Sequence, residues 1–329
     1  MTTLRWGILG TGGIARTFTR DLLDAGLTVQ AVGSRGEDRA RAFAEEFGVP
    51  SAHGSYEALA ADPEVDVIYV ATPHPMHAAD AELALRGGKH VLVEKAFTMN
   101  EAEAARLVDL GIETGLVVME AMWTRFLPHM VRIRELLAEG ALGEIRAVIA
   151  DHGQSLPTDP EHRLQNPELG GGALLDLGIY PVSFAWDVLG EPVEVHATAT
   201  RTPTGVDGST AVLLRNAEGA VALVHTVLDA RSPNTASITG TRARIEIDDT
   251  WYQPTSFRLI ATDGEVLEAY ESRIEGRGMQ FEALEIERLV REGHTTSPLM
   301  SGRQSVGIMR TLDEIRRQIG LTYPSDVAS

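Results

Sequence analysis

Among the 29 basic residues of this chain, Lys89 and Lys95 alone are lysine; all the others are arginine. A guanidinium stays protonated in a protein, whereas an amine can share or release a proton. Lys95 follows the strand-like run His90–Glu94, and ligands of open α/β sheets bind outside the carboxyl ends of the strands. Lys89 lies in a glycine-flanked turn and reads as a surface residue. Farther along, the glycine run at Gly170–Gly172 precedes a segment in which Asp176 and Tyr180 are four apart, so that a helix puts them on one face. A lysine, a carboxylate and a phenol suit proton exchange with a hydroxyl or carbonyl while a hydride moves. A phenol is a weak acid at neutral pH unless a nearby cation favours its ionised form, and Lys95 is the candidate cation. Spacing alone gives equal weight to a structural reading, with Tyr180 a partly buried helix tyrosine and Asp176 a surface carboxylate.

Hydride chemistry needs a carrier. Leu4–Leu9 runs into Gly10-Thr11-Gly12-Gly13-Ile14-Ala15, a G-x-G-x-x-A pattern between a strand and a helix. Gly10 permits the tight turn. Gly12 lets the backbone approach a pyrophosphate, which the free N–H groups of the helix N-terminus stabilise. The ribose partner is expected about twenty residues on, at the end of the second strand, where an acidic residue would favour NAD. Here Ser34 and Arg35 stand at that place, with Arg39 one turn further. A hydroxyl and guanidinium groups suit a 2′-phosphate, which favours NADP over NAD; Glu37 and Asp38 nearby pull the other way.

Other residues attract notice and are weighed against plainer roles. His74 and His77 form H-x-x-H at a strand end, but no third ligand completes a metal motif; no metal is expected, and a place at the nicotinamide end of the site fits better. Asp151 and His152 end a strand and are pocket or turn residues. Trp123 and the Trp251–Tyr252 pair stand out in a chain that is 5% aromatic. Trp123 is a candidate substrate wall, although core packing is the commoner role. Further walls come from the polar loop Ser155–Glu168 and the neighbourhood of Tyr252.

These residues need elements to hold them. The first third alternates strand (Leu4–Leu9, Val29–Gly33, Val65–Ala71, His90–Glu94, Val117–Met119) with helix, which predicts a doubly wound parallel sheet of Rossmann type. Asn100 with Glu103 reads as a helix start. After Met122 the pattern shifts to a helix at His129–Glu139, a strand at Ile145–Asp151, then long alternating segments without helices between them: Val193–Arg201, Thr210–Arg215, Ala220–Leu228, Ala236–Ile247 and Phe257–Ala269. These predict an α+β domain on a mostly antiparallel sheet. The expected division is 1–122 for dinucleotide binding and 123–329 for substrate binding and oligomerisation, with the last helix, 301–319, packing back on the first domain. A length of 329 residues accommodates both.

The net charge of −18 argues against nucleic acid as a partner, and the absence of cysteine excludes disulfides and thiolate chemistry. No apolar run nears the roughly 20 residues of a membrane helix, and no signal peptide is seen; a cytoplasmic location and a small-molecule substrate are expected. In Ala220–Leu228 neither alternating set is strongly polar, so a second subunit is expected on the outer sheet face.

The stretches WGILGTGGIA (6–15), ATPHPMH (71–77), GGKHVLVEKAFTMN (87–100) and GGGALLDLGIYP (170–181) together resemble the glucose–fructose oxidoreductase / inositol dehydrogenase / MocA (Gfo/Idh/MocA) family. MEAMWTRFLP (119–128) and SPNTASITGTRARIEI (232–247) are most similar to its branch of dimeric dihydrodiol dehydrogenases and NADP-dependent D-xylose dehydrogenases. The resemblance implies a Rossmann domain followed by a domain on an open, mainly antiparallel sheet. It implies that Lys95 matches the lysine of the family's E-K-P motif and that Asp176 and Tyr180 match its helix motif, with tyrosine exchanging the proton. It places Glu94 on the nicotinamide ribose, beside the further cofactor candidates Thr72 and His77, and it implies a homodimer or higher oligomer. Ala96 replaces the family's proline, which commonly follows a cis bond, and leaves the setting of Lys95 open. The expected reaction is hydride transfer between NADP and a vicinal diol or a sugar such as D-xylose. The alternatives are an anhydro- or deoxysugar carbonyl reductase, an inositol dehydrogenase, and a regulator that binds NADP without turnover.

Overall fold

A computed structural model describes residues 4–327. The chain forms two compact units. The first comprises Met1–Trp123 and Gly276–Val306, the second Thr124–Glu275 and Gly307–Ser329.

In the first unit, strands β1 (Arg5–Leu9), β2 (Thr28–Gly33), β3 (Ser51–His53), β4 (Val67–Val70), β5 (His90–Glu94) and β6 (Val118–Ala121) alternate with helices α1 (Gly13–Asp24), α2 (Glu37–Phe47), α3 (Tyr56–Ala60), α4 (His77–Arg86) and α5 (Glu101–Thr114). The sheet order is β3-β2-β1-β4-β5-β6, and every pairing is parallel. All four residues of β4 are buried, as a strand covered on both faces requires. The order reverses between β1 and β4, the switch point at which such sheets open a crevice. The α5 start forms a two-way cap: Asn100 accepts from the Glu103 N–H at 2.9 Å, and Glu103 accepts from the Met99 N–H at 3.1 Å. The sequence reading omitted β3 and α3, which are too short to show a period.

The second unit holds α6 (Pro128–Ala138), α7 (Ile179–Leu189) and eight strands: β7 (Ile145–Gly153), β8 (Glu194–Arg201), β9 (Asp207–Arg215), β10 (Val221–Val227), β11 (Ala236–Gly240), β12 (Ala243–Ile247), β13 (Phe257–Ala261) and β14 (Val266–Tyr270). Their order is β14-β13-β12-β11-β7-β10-β9-β8. Only β7 and β10 pair in parallel; the other pairings are antiparallel. The expected single segments Ala236–Ile247 and Phe257–Ala269 are each hairpins. Gly240 closes β11 ahead of the first turn, at Thr241–Arg242, across which the buried apolar set shifts from Ala236 and Ile238 to Ala243, Ile245 and Ile247; in the second, Gly264 adopts a φ of +94°.

Helix α7 covers β7 and β10 on one sheet face. The other face is open: Ile149 and Leu223 are 50% and 44% exposed, beside a groove of about 540 Å³ that also includes His196, Leu213 and His225. The stretch Pro167–Leu189 has the length and hydropathy of a membrane span, against the sequence expectation, but is 83% buried within the protein, as a core helix is. The chain continues with α8 (Gln280–Glu292), whose Glu287 accepts from the Trp6 indole N–H at 3.4 Å, and α9 (Gly302–Ile319).

Candidate active site

In the first unit the turn from β1 to α1 is built for close approach. Gly10 has a φ of +109°, and a Cβ there would lie 2.9 Å from the Ala71 carbonyl oxygen. Gly12 and Gly13 instead face open space, with nothing within 4 Å of a would-be Cβ. Gly12 caps α1 without a side-chain acceptor, and the first turn carries no acid. The leading N–H groups of α1 thus have no side-chain cap, an arrangement that can accept an anion. Ala15, fully buried, keeps the helix against the sheet, and Ile14 sits half-buried on the first turn.

At the end of β2, Ser34 is buried and its N–H donates to the His53 carbonyl at 3.1 Å. Arg35 and Arg39 are exposed, and among the described residues no ion pair occupies either. Burial and Asp80 push the Tyr56 phenol up, while Arg35 and Arg39 pull it down.

Beyond β4 and β5 the histidines brace backbone. His77 is buried, with Nδ1 2.9 Å from the Ala96 carbonyl and Nε2 2.8 Å from that of Thr72. Burial pushes its pKa down, so the neutral ring satisfies one of the two carbonyls. His74 Nε2 lies 3.2 Å from the Lys95 carbonyl. His74 thus meets the main chain of the half-buried Lys95 and His77 that of the next residue, and the Lys95–Ala96 peptide is cis. Glu94 is buried, accepts from the Tyr69 hydroxyl, and accepts from the Lys95 N–H at 3.2 Å. Glu282 on α8 is fully buried with neither carboxylate oxygen hydrogen-bonded; burial, Glu94, Asp21 and Glu120 push it well above the carboxylate range. Trp123 is also buried.

Lys89 contradicts the surface reading. It is 8% exposed, and its ammonium donates to the carbonyls of Asp62 at 2.6 Å and Val65 at 2.8 Å. It ties the turn before β5 to the segment that leads into β4.

In the second unit Asp176 sits in a π-helical turn, Leu174–Gly178, which leads directly into α7 and Tyr180. Such turns concentrate at functional sites. Asp176 and Tyr180 are each 7% exposed, so Asp176 is not a solvated surface group. Arg163, from the long loop, donates to the Asp176 carboxylate at 3.0 Å. The Tyr180 ring meets His152 edge-on at 4.9 Å, and His152 stacks on Tyr252 at 3.8 Å. Gln154 Nε2 lies 2.8 Å from His152 Nε2 and 3.3 Å from the Tyr252 hydroxyl. Gln154 thus bridges the His152 ring and the Tyr252 hydroxyl. Burial pushes the Tyr252 phenol up to about 12, which leaves it a neutral hydrogen-bonding group. Asp151 proves to be a turn clasp: its carboxylate accepts from the N–H groups of Asn234 at 2.8 Å and Thr235 at 3.2 Å.

The structure thus groups Gly10, Gly12, Gly13 and Ile14 at one turn, Ser34, Arg35 and Arg39 at a second, and Thr72, His77, Glu94 and Lys95 around a third. It groups Asp176, Tyr180, His152 and Tyr252 in the second unit. Sequence reasoning missed Arg163, Gln154 and Tyr69. Only Tyr69 left a signal: a phenol in a strand buried on both faces must find a polar partner.

Two family profiles match the chain, one described as an oxidoreductase family with an NAD-binding Rossmann fold over residues 4–122, the other as the GFO/IDH/MocA C-terminal domain over residues 130–246. The chain is 36% identical to the D-xylose 1-dehydrogenase (NADP(+)) of Hypocrea jecorina, over 98% of this chain and 93% of that protein. It is 37% identical to the trans-1,2-dihydrobenzene-1,2-diol dehydrogenase of Mus musculus, over 98% and 99%. Among solved structures, a 3-ketoreductase from Actinomadura kijaniata in complex with NADP and TDP-benzene is similar, with a TM-score of 0.85, 28% identity and coverage of 97% and 98%. An aldose-aldose oxidoreductase from Caulobacter crescentus matches with a TM-score of 0.86 at 26% identity, over 96% and 97%.

Proposed function

Because the chain belongs to the GFO/IDH/MocA family of oxidoreductases, we propose that it is an NADP-dependent dehydrogenase that oxidises one hydroxyl of a vicinal diol or an aldose. The observation that carries this reading is the full-length relation to a D-xylose 1-dehydrogenase and to dihydrodiol dehydrogenases. Both named substrates present a hydroxyl next to the one that is oxidised, so adjacent hydroxyls are their common chemistry.

Each residue has a role in this reading. The N–H groups at Gly12 and Gly13 hold the pyrophosphate, with Gly10 and Ile14 shaping the turn. Ser34, Arg35 and Arg39 hold the 2′-phosphate. Thr72, His77 and Glu94 fix the nicotinamide end, His77 through the main chain. When bound, the nicotinamide supplies the hydride acceptor. Tyr180 takes the hydroxyl proton as the carbonyl forms, and the Lys95 ammonium favours the ionised phenol and orients substrate oxygen. Asp176 holds substrate, itself held by Arg163. Trp123, His152 and Tyr252 contribute substrate contacts. The reverse direction, reduction of a sugar carbonyl, uses the same groups and is favoured as a second reading by the likeness to a 3-ketoreductase.

The open face of the second unit supports a homodimer: Ile149 and Leu223 expose apolar surface there. A cytoplasmic setting, where NADP is plentiful, belongs to the same reading. The test is NADPH formation over a panel of aldoses, inositols and trans-dihydrodiols, with the parent chain, Lys95→Met and Tyr180→Phe. Both variants are expected to bind NADP as the parent does and to lose turnover. Full activity in Tyr180→Phe refutes the proton assignment, and no turnover by the parent on any of the panel in either direction refutes the reading as a whole.

A further inference from the structure

The π-helical turn that carries Asp176 is not capped by its own sequence. Ala173 precedes it and offers no side-chain hydrogen bond. The acceptor comes from farther along the chain: Asp207, fully buried at the start of β9, accepts from the Leu174 N–H at 2.8 Å. The same oxygen, Oδ2, accepts from the Thr210 hydroxyl at 2.7 Å. Its other oxygen is buried without a hydrogen-bond partner and lies against Gly172, where a Cβ would stand 2.2 Å from it. Gly172, at a φ of +122°, is therefore the residue that lets the turn descend onto the carboxylate.

A second buried group grips the same turn. Tyr323 is 1% exposed, and its hydroxyl donates to the Gly171 carbonyl at 2.7 Å. Tyr323 is itself held: its N–H donates to Asp326 at 2.8 Å, and Asp326 pairs with Arg316, whose guanidinium lies 5.1 Å from the centre of the Tyr323 ring. Residues 171–174 are thus fastened at one end through a carbonyl and at the other through an N–H, by side chains from two distant parts of the same unit.

We propose that Asp207 is a positioning residue for the reaction, and that with Tyr323 it forms a buried clamp that sets the placement of Asp176 and Tyr180. The proposal rests on the role given to Tyr180 above. Neither clamp residue contacts substrate; both act through main-chain atoms. A helix start that loses its only acceptor can rotate or slide, and a displacement near 1 Å costs about 100-fold in rate where geometry controls it.

The test uses the full chain with three substitutions. Asp207→Ala removes the acceptor and is expected to lower kcat by about 30-fold while the Kd for NADP, read by fluorescence, changes less than about twofold. Asp207→Asn retains one oxygen able to accept from both donors and is expected to recover kcat to within about fivefold of the parent. Tyr323→Phe removes only the hydroxyl and keeps the ring, so it folds even where the alanine variant does not; a loss of about fivefold is expected. Amide hydrogen exchange supplies the readout that does not need turnover: exchange at residues 172–176 should quicken about tenfold or more in Asp207→Ala and in Tyr323→Phe, with β1–β6 unchanged. Parent-like kcat in both variants overturns the proposal, as does a loss of kcat with parent-like exchange at 172–176. If the parent itself shows no turnover, the dehydrogenase reading fails, and the exchange rates alone decide whether the clamp holds the turn.

Discussion

Lys89→Met separates a buried brace from a surface lysine. Methionine keeps the unbranched stem but removes the ammonium that donates to the Asp62 and Val65 carbonyls at 2.6 and 2.8 Å. A hydrogen bond from a charged donor contributes about 1.5–3 kcal/mol. Two such bonds are lost, but so is the desolvation that pushes the Lys89 amine below its ordinary pKa, which offsets part of the sum. The net expectation is about 2–3 kcal/mol of destabilisation. For a folding unit of this size that lowers Tm by roughly 5–10 °C. The measurement is urea and thermal unfolding of the full chain, with Lys89→Arg as the control for charge without the compact ammonium. Cofactor affinity should stay near the parent's once the protein is folded, because the tie lies away from the open turn at Gly12 and Gly13. A loss below about 0.5 kcal/mol, the range of ordinary surface substitutions, refutes the reasoning.

Four further outcomes are expected. Arg35→Ala should raise the KM for NADP by about 10- to 100-fold, the size of one charge-assisted hydrogen bond, and leave NAD nearly unaffected; an unchanged NADP/NAD ratio of kcat/KM counts against the 2′-phosphate seat. Tyr69→Phe should cost about 1–3 kcal/mol in unfolding free energy, because buried Glu94 loses a donor; a neutral result denies that bond. Burial pushes the Asp207 carboxyl up to about 6 from 3.8, so between those pH values the folded chain retains a proton that the unfolded chain has lost. Stability should therefore fall as pH rises from about 4 to 6, by up to about 3 kcal/mol, and Asp207→Asn should lack that slope. Leu223→Glu on the open sheet face should convert the expected dimer to monomer in sedimentation across concentrations; a parent that is monomeric throughout removes the proposed interface.

What the sequence disclosed was mostly local. The glycine turn after β1, the Asn100–Glu103 cap and the bounds of β5 depend on residues within a few positions of one another, so their patterns survive in a linear reading. Asp176 and Tyr180 were readable as neighbours on one helix, but the π-helical turn was not, because it is held by Asp207 and Tyr323 from far along the chain. Lys89 was misread for the same reason: both of its acceptors are main-chain carbonyls, and carbonyls leave no mark in a sequence. Arg163 and Gln154 lie in stretches without periodicity, and only the fold shows that one reaches Asp176 and the other reaches His152 and Tyr252. The two hairpins β11–β12 and β13–β14 run together in a linear reading because strand-like residues flank each tight turn closely, although Gly240 and the Asp263–Gly264 pair mark the breaks.

The two units interleave along the chain: each is made of two segments, and residues 276–306 complete the unit that begins at the N-terminus. A ribosome emitting this chain has released every strand of the nucleotide-binding sheet before α8 exists. Trp6 waits for Glu287, and the Asp21 carboxylate waits for the Met279 N–H that it accepts at 3.0 Å. Domains that are contiguous in sequence can fold one after another during synthesis; here the first to emerge cannot be finished until most of the second has been made. A frameshift or proteolytic cut between Glu275 and Val306 would therefore damage the unit that begins at the N-terminus, although the break falls in the last sixth of the sequence.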